Sequence, residues 1–200
     1  MPFPFRLRSR AAPLQASRKR APDPEPGSHW QALLAEARNG SRLSGSSLHG
    51  EVHWRAVAAT GLRLRAFHPS VSARLLLAFG MLHDCRREDE GWDPQHGFRA
   101  AEVALTSRAP RKLIDPEEIR ILAKACLLHE KGKTDPEDLR VGLCWDSDRY
   151  NLLRLDIRPI QELLSAELVE ADHERMIRHT IRMLDAVPER DELIDRAEAR

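Results

Sequence analysis

Leu75-Leu76-Leu77-Ala78-Phe79-Gly80-Met81-Leu82-His83-Asp84 is the stretch that decides how this chain folds. A segment apolar on every side belongs inside a protein rather than on its surface. It is far shorter than the roughly 18 apolar residues that cross a bilayer, so it reads as an interior helix. Pro69-Ser70-Val71-Ser72 opens it, and it ends on an imidazole beside a carboxylate. Packing alone gives no reason to end a buried helix on His83 and Asp84. Together they make a mixed nitrogen and oxygen donor pair that suits a catalytic divalent metal.

The surrounding composition points the same way. Ala, Leu, Arg and Glu dominate, aromatics make up 5%, and there is one Tyr. These are helix formers, and the expected fold is all-α. It is a compact bundle of about six to eight helices, kept short by 13 Pro. The net charge of +1 leaves no bulk charge for nucleic acid. The three cysteines, Cys85, Cys126 and Cys144, form no CxxC pair and lie in apolar segments. They read as reduced, buried thiols of a cytoplasmic protein. No membrane span is expected.

Three regions follow. Residues 1–27 read as a flexible basic, Pro-rich tail, with Arg6, Arg8, Arg10, Arg18, Lys19 and Arg20 and then Pro22, Pro24 and Pro26. Residues 28–188 read as one helical domain. Residues 189–200 read as a charged C-terminal tail that frays. Within the domain, Ser28 is the expected cap of a helix over Trp30–Arg38. A second helix is expected from Leu48 to about Phe67, and a polar loop over Arg86–Pro94. Asp93-Pro94 begins a fourth helix, and Asp115-Pro116-Glu117-Glu118 is a strong start for a fifth. Asp135-Pro136 repeats that start for a sixth helix reaching Leu155. Two more are expected near 159–168 and 171–186.

Every core helix from the second to the sixth offers a metal-capable side chain. His49 and His53 share a face at i,i+4. His83-Asp84 ends the third helix, His96 opens the fourth, His129 ends the fifth, and Asp146 lies in the sixth. Ligand sites in bundles are built from facing helices in this manner. A single His at a helix end is ordinarily a surface residue. Buried Asp is rare unless paired, and both Asp84 and Asp146 follow apolar runs.

This ordered set resembles the HD superfamily of metal-dependent phosphohydrolases. Its pattern is an early His, a His-Asp pair and a distant Asp. The matching segments are Leu48-His49-Gly50-Glu51-Val52-His53, His83-Asp84-Cys85-Arg86-Arg87 and Trp145-Asp146-Ser147-Asp148-Arg149-Tyr150. The resemblance implies metal ligation by His53, His83, Asp84 and Asp146. His96 and His129 would hold a second ion, with Asp84 as the bridge. It implies one or two divalent ions per chain, of Mn, Fe, Mg, Co or Zn. It implies hydrolysis of a phosphorylated small molecule or nucleotide by a metal-activated water. Asp84, Arg87 and Arg149 are the expected catalytic residues, the arginines compensating phosphate charge. Asp148 is expected to orient a ligand or Arg149, and Glu130 to play no part. The Gly-Tyr-Pro signature of the cyclic-di-GMP-cleaving subfamily is absent. The alternatives are a non-catalytic HD-like module that binds a nucleotide or protein partner, and a purely structural helical adaptor.

Overall fold

The computed structural model describes residues 26–131, 134–135 and 137–199. The predicted basic tail lies outside them, except for Pro26 and Gly27, which belong to the first helix. Every regular element among the described residues is helical. The chain runs through α1 (Pro26–Asn39), α2 (Glu51–Leu64), α3 (Ala73–Leu82), α4 (His96–Thr106), α5 (Pro110–Leu113) and α6 (Pro116–Leu128). It continues through α7 (Leu139–Tyr150), α8 (Glu170–Asp185) and α9 (Arg190–Glu198). The 3-10 turns are His129–Lys131, Asn151–Leu155 and Gln161–Leu163. No helix in the described residues is long and apolar enough to cross a membrane.

The apolar run forms α3, which is the centre of the bundle. Leu75 to Leu82 are all buried, and the helix touches α1, α2, α4, α6, α7 and α9. The Ser72 hydroxyl caps its start by accepting from Leu75 N at 3.3 Å. Two glycines let the helices that carry the site cross closely. A Cβ on Gly80 would lie 2.7 Å from the Ala58 backbone nitrogen, so α3 and α2 touch backbone to backbone there. A Cβ on Gly97 would lie 2.6 Å from the Cys126 carbonyl oxygen, where α4 meets α6. Asp115 caps α6 as expected, accepting from the Glu117 and Glu118 amides at 2.8 Å, and Glu118 completes a capping box. All three cysteines are buried and unpaired.

Several expected boundaries shift. Ser28 sits inside α1, which begins at Pro26. Asp138 rather than Asp135 caps α7, while Asp135 accepts from the Asp138 amide at 3.1 Å. Asp93 does not cap α4; its carboxylate ties the preceding loop to the helix through Glu88 N and Arg99. The helix expected over 159–168 is absent apart from one 3-10 turn. The buried Asp146 carboxylate takes the Ser165 and Ala166 amides, at 2.9 and 2.6 Å to its Oδ2, and an α-helix would need those amides itself. The tail expected over 189–200 is instead mostly α9. Leu193, Ile194 and Ala197 recur on one face and are buried, against α2 and α3. Glu198 accepts the Trp30 indole N–H at 2.8 Å and pairs with Arg74.

Candidate metal centre

Each ligand position follows from where its helix begins or ends. His53 lies in the first turn of α2, His83 is the residue after α3, His96 is the first residue of α4, and His129 follows α6. The two close helix crossings bring these imidazoles together in pairs. His53 Nε2 and His83 Nε2 are 3.2 Å apart, and His96 Nε2 and His129 Nε2 are 2.9 Å apart. Asp84 stands between the pairs. Its Oδ2 is 3.6 Å from His53 Nε2 and 3.7 Å from His83 Nε2. Its Oδ1 is 3.2 Å from His96 Nε2 and 3.6 Å from His129 Nε2. One carboxylate therefore presents one oxygen to each pair.

The carboxylate that completes the first group is Asp148, which is a correction. Asp148 Oδ1 is 3.4 Å from His53 Nε2 and 3.8 Å from His83 Nε2. Asp146 is not in the group. Two positions along a helix rotate a side chain by about 200°, so the two acids of α7 face nearly opposite ways. Asp148 faces α2 and α3, whereas Asp146 faces the 161–166 segment and holds it by its amides. The donor atoms of His53, His83 and Asp148 lie within 4.8 Å of one another, and so do those of Asp84, His96 and His129.

The hydrogen bonds behind the rings fix which nitrogens face inward. His83 Nδ1 donates to the Gly80 carbonyl at 3.1 Å, His96 Nδ1 to Asp93 O at 2.6 Å, and His129 Nδ1 to Cys126 O at 2.7 Å. Carbonyls only accept, so each ring commits its Nδ1 proton outward and turns Nε2 toward Asp84. Asp84 Oδ1 finds no hydrogen-bond donor among the described residues. Two lone pairs and an orphaned carboxylate oxygen facing one point are satisfied by a cation, and imidazole with carboxylate is a donor set for a divalent one.

The protonation pattern agrees. Burial lowers the His83 imidazole to about 4, against the pull of Asp84. Burial alone would raise the Asp84 carboxyl, but His83, His129 and His96 hold it well below the ordinary range. Burial would also raise Asp148, and the bond from His53 and the charges of His83 and His129 bring it down. Burial would lower His129, yet Asp84 raises it above its usual value.

His53, Asp84, His129 and Asp148 form the buried end of a cavity of about 490 Å³. Its other lining includes His49, Arg87, Glu130, Arg149 and the 152–164 segment. His49 pairs with Glu90 at 2.6 Å at the cavity edge rather than joining the cluster. Arg87 is buried and held by the Asp89 and Gly91 carbonyls, and its Nη1 lies 3.2 Å from Glu130 Oε1 and 3.7 Å from Asp84 Oδ1. Arg149 lines the cavity but spends a donor on Leu163 O at 2.7 Å. Arg86 is structural, donating to the Glu36, Ala37 and Cys85 carbonyls. Sequence reasoning missed Glu130. A 3-10 turn follows α6 directly, and it swings Glu130 back beside His96 Nδ1 at 3.4 Å.

No protein-family model matches this chain, and neither a curated protein nor a solved structure matches it.

Proposed function

We propose that the chain is a metal-dependent phosphohydrolase of the HD type, acting on a phosphate ester or nucleotide-like substrate. The observation that carries this reading is Asp84. It shares its two oxygens between two imidazole-containing groups at the buried end of a ligand-sized cavity. His53, His83, Asp84 and Asp148 would hold one divalent ion, and Asp84, His96 and His129 a second. Mn, Fe, Co, Mg or Zn all accept such donors. When bound, the ions would lower the pKa of a coordinated water and polarise phosphoryl oxygens.

The protein's own residues do the rest. The carbonyls of Gly80, Asp93 and Cys126 keep the ring protons away from the site. Glu130 and the carbonyls of Asp89 and Gly91 hold the Arg87 guanidinium beside Asp84, where phosphate charge needs compensation. Arg149 lends a second positive charge from α7. The three buried, unpaired thiols support a reducing, cytoplasmic setting.

The test is metal analysis of the purified chain, then assays on phosphomonoesters and nucleotides with Mn²⁺ and Co²⁺. The wild type should carry metal and turn over at least one class, and Asp84→Ala should do neither. An ion-free protein, or activity unchanged in Asp84→Ala, sinks the reading. Bound metal without turnover favours a non-catalytic HD-like module that binds a nucleotide or a protein partner.

A further inference from the structure

We propose that the cavity selects a phosphate monoester whose organic group is apolar, an alkyl or aryl chain, over a sugar phosphate. This narrows the phosphohydrolase reading and rests on it.

The wall opposite the acids and imidazoles is aliphatic. Leu155, Ile157, Ile160 and Leu163 are 43%, 51%, 58% and 48% exposed, and all four line this one cavity. Scattered exposed aliphatics are ordinary, whereas a cluster continuous with a buried polar site marks a binding surface. The only polar side chains that the 152–164 stretch adds to the lining are Arg154 and Arg158. A guanidinium serves an anion or an aromatic face. A sugar turned toward this wall would lose water from its hydroxyls and meet carbon.

The wall is also held open by construction. Asp146 binds the Ser165 and Ala166 amides, and Arg149 donates to Leu163 O. Asp156 takes a left-handed φ of 59° at the turn that leads into Ile157, whose amide donates to Leu152 O at 3.2 Å. With its backbone anchored at both ends, the stretch keeps its aliphatic side chains facing the cavity. The volume of about 490 Å³ leaves room for an organic group beyond the phosphate.

The test uses the full chain loaded with Mn²⁺ and a series of n-alkylphosphonates from methyl to hexyl, with binding measured by calorimetry. Affinity should rise about three- to fourfold per methylene, the factor that burial of one CH₂ gives. Glucose 6-phosphate should bind no more tightly than methylphosphonate. Ile157→Ser and Ile160→Ser, both at half-exposed positions, should flatten the series and leave methylphosphonate affinity unchanged. If methylphosphonate binds but affinity is flat with chain length, or the sugar phosphate binds more tightly, the apolar selectivity is wrong and the phosphohydrolase reading stands. If no phosphonate of any length binds the metal-loaded chain, both fall.

Discussion

Gly97→Ala tests whether helix packing sets the geometry of the second imidazole pair. The new Cβ would lie 2.6 Å from the Cys126 carbonyl oxygen, about 0.7 Å inside the ordinary C···O contact of ~3.3 Å. That oxygen is backbone in the last turn of α6 and also accepts from His129 Nδ1, so α4 must withdraw by roughly that amount. His96 directly precedes Gly97 and moves with it, away from His129 and Asp84. Metal sites tolerate about 0.2 Å of donor displacement, so the shift is several times too large. Overpacking costs about 1–3 kcal/mol, and replacing a helical Gly by Ala returns about 1 kcal/mol. The net loss of stability is therefore only ~0–2 kcal/mol. The variant should fold, keep the His53, His83, Asp148 site and lose the second ion. Urea unfolding of the chelated protein and calorimetric titration with Mn²⁺ read the two effects separately. Two ions bound with wild-type affinity would refute the reasoning, because the crossing would then have slack.

Asp148→Asn should abolish binding of the first ion, whereas Asp146→Asn should leave metal affinity near wild type and loosen the 161–166 segment. The opposite pattern in metal titrations would restore Asp146 as the ligand. A chain ending at residue 189 loses the burial of Leu193 and Ile194, about 1.5–3 kcal/mol each, so the unfolding free energy should fall by ~3–6 kcal/mol. An unchanged melting temperature would mean that α9 is not docked. Burial pushes the Cys85 thiol up to about 12 and raises Cys126 and Cys144 as well, so none forms thiolate near pH 8. Alkylation at that pH should wait on unfolding, and fast labelling of the native protein would count against these packed positions.

The parts of the fold legible in the sequence were those governed by local chemistry. The apolar run of α3, the Ser72 cap and the Asp115-Pro116 start each state their structure within a few residues. His53, His83, Asp84, His96 and His129 were legible as members of one cluster because each sits at a helix end that local signals locate. Beyond caps displaced by a few residues, the misreadings were tertiary. Ile160, Leu163, Leu164 and Leu168 recur at helical spacing, yet a buried carboxylate in another segment captured the amides that a helix there would use. α9 carries only three core residues, and their role appears only once α2 and α3 are beside them. Asp146 and Asp148 differ by which face of α7 meets the bundle, and no local signal states that.

Why the site falls at the end of the apolar run also has an electrostatic answer. α3 and α6 both end at the cluster, at His83 and His129, so two helix C-termini bring their partial negative charge to it. Asp84 and Asp148 add two carboxylates, with Glu130 at the edge, and the Arg87 and Arg149 guanidiniums stand against them. A buried Asp is costly unless something positive shares its surroundings. Arg87 reaches the Oδ1 side of Asp84, at 3.7 Å, and Asp148 Oδ1 meets the His53 and His83 rings at 3.4 and 3.8 Å. The fold thus gathers carboxylates and imidazoles at one place. A surface chosen only for packing would have no use for that arrangement. It is a donor set that could hold divalent cations.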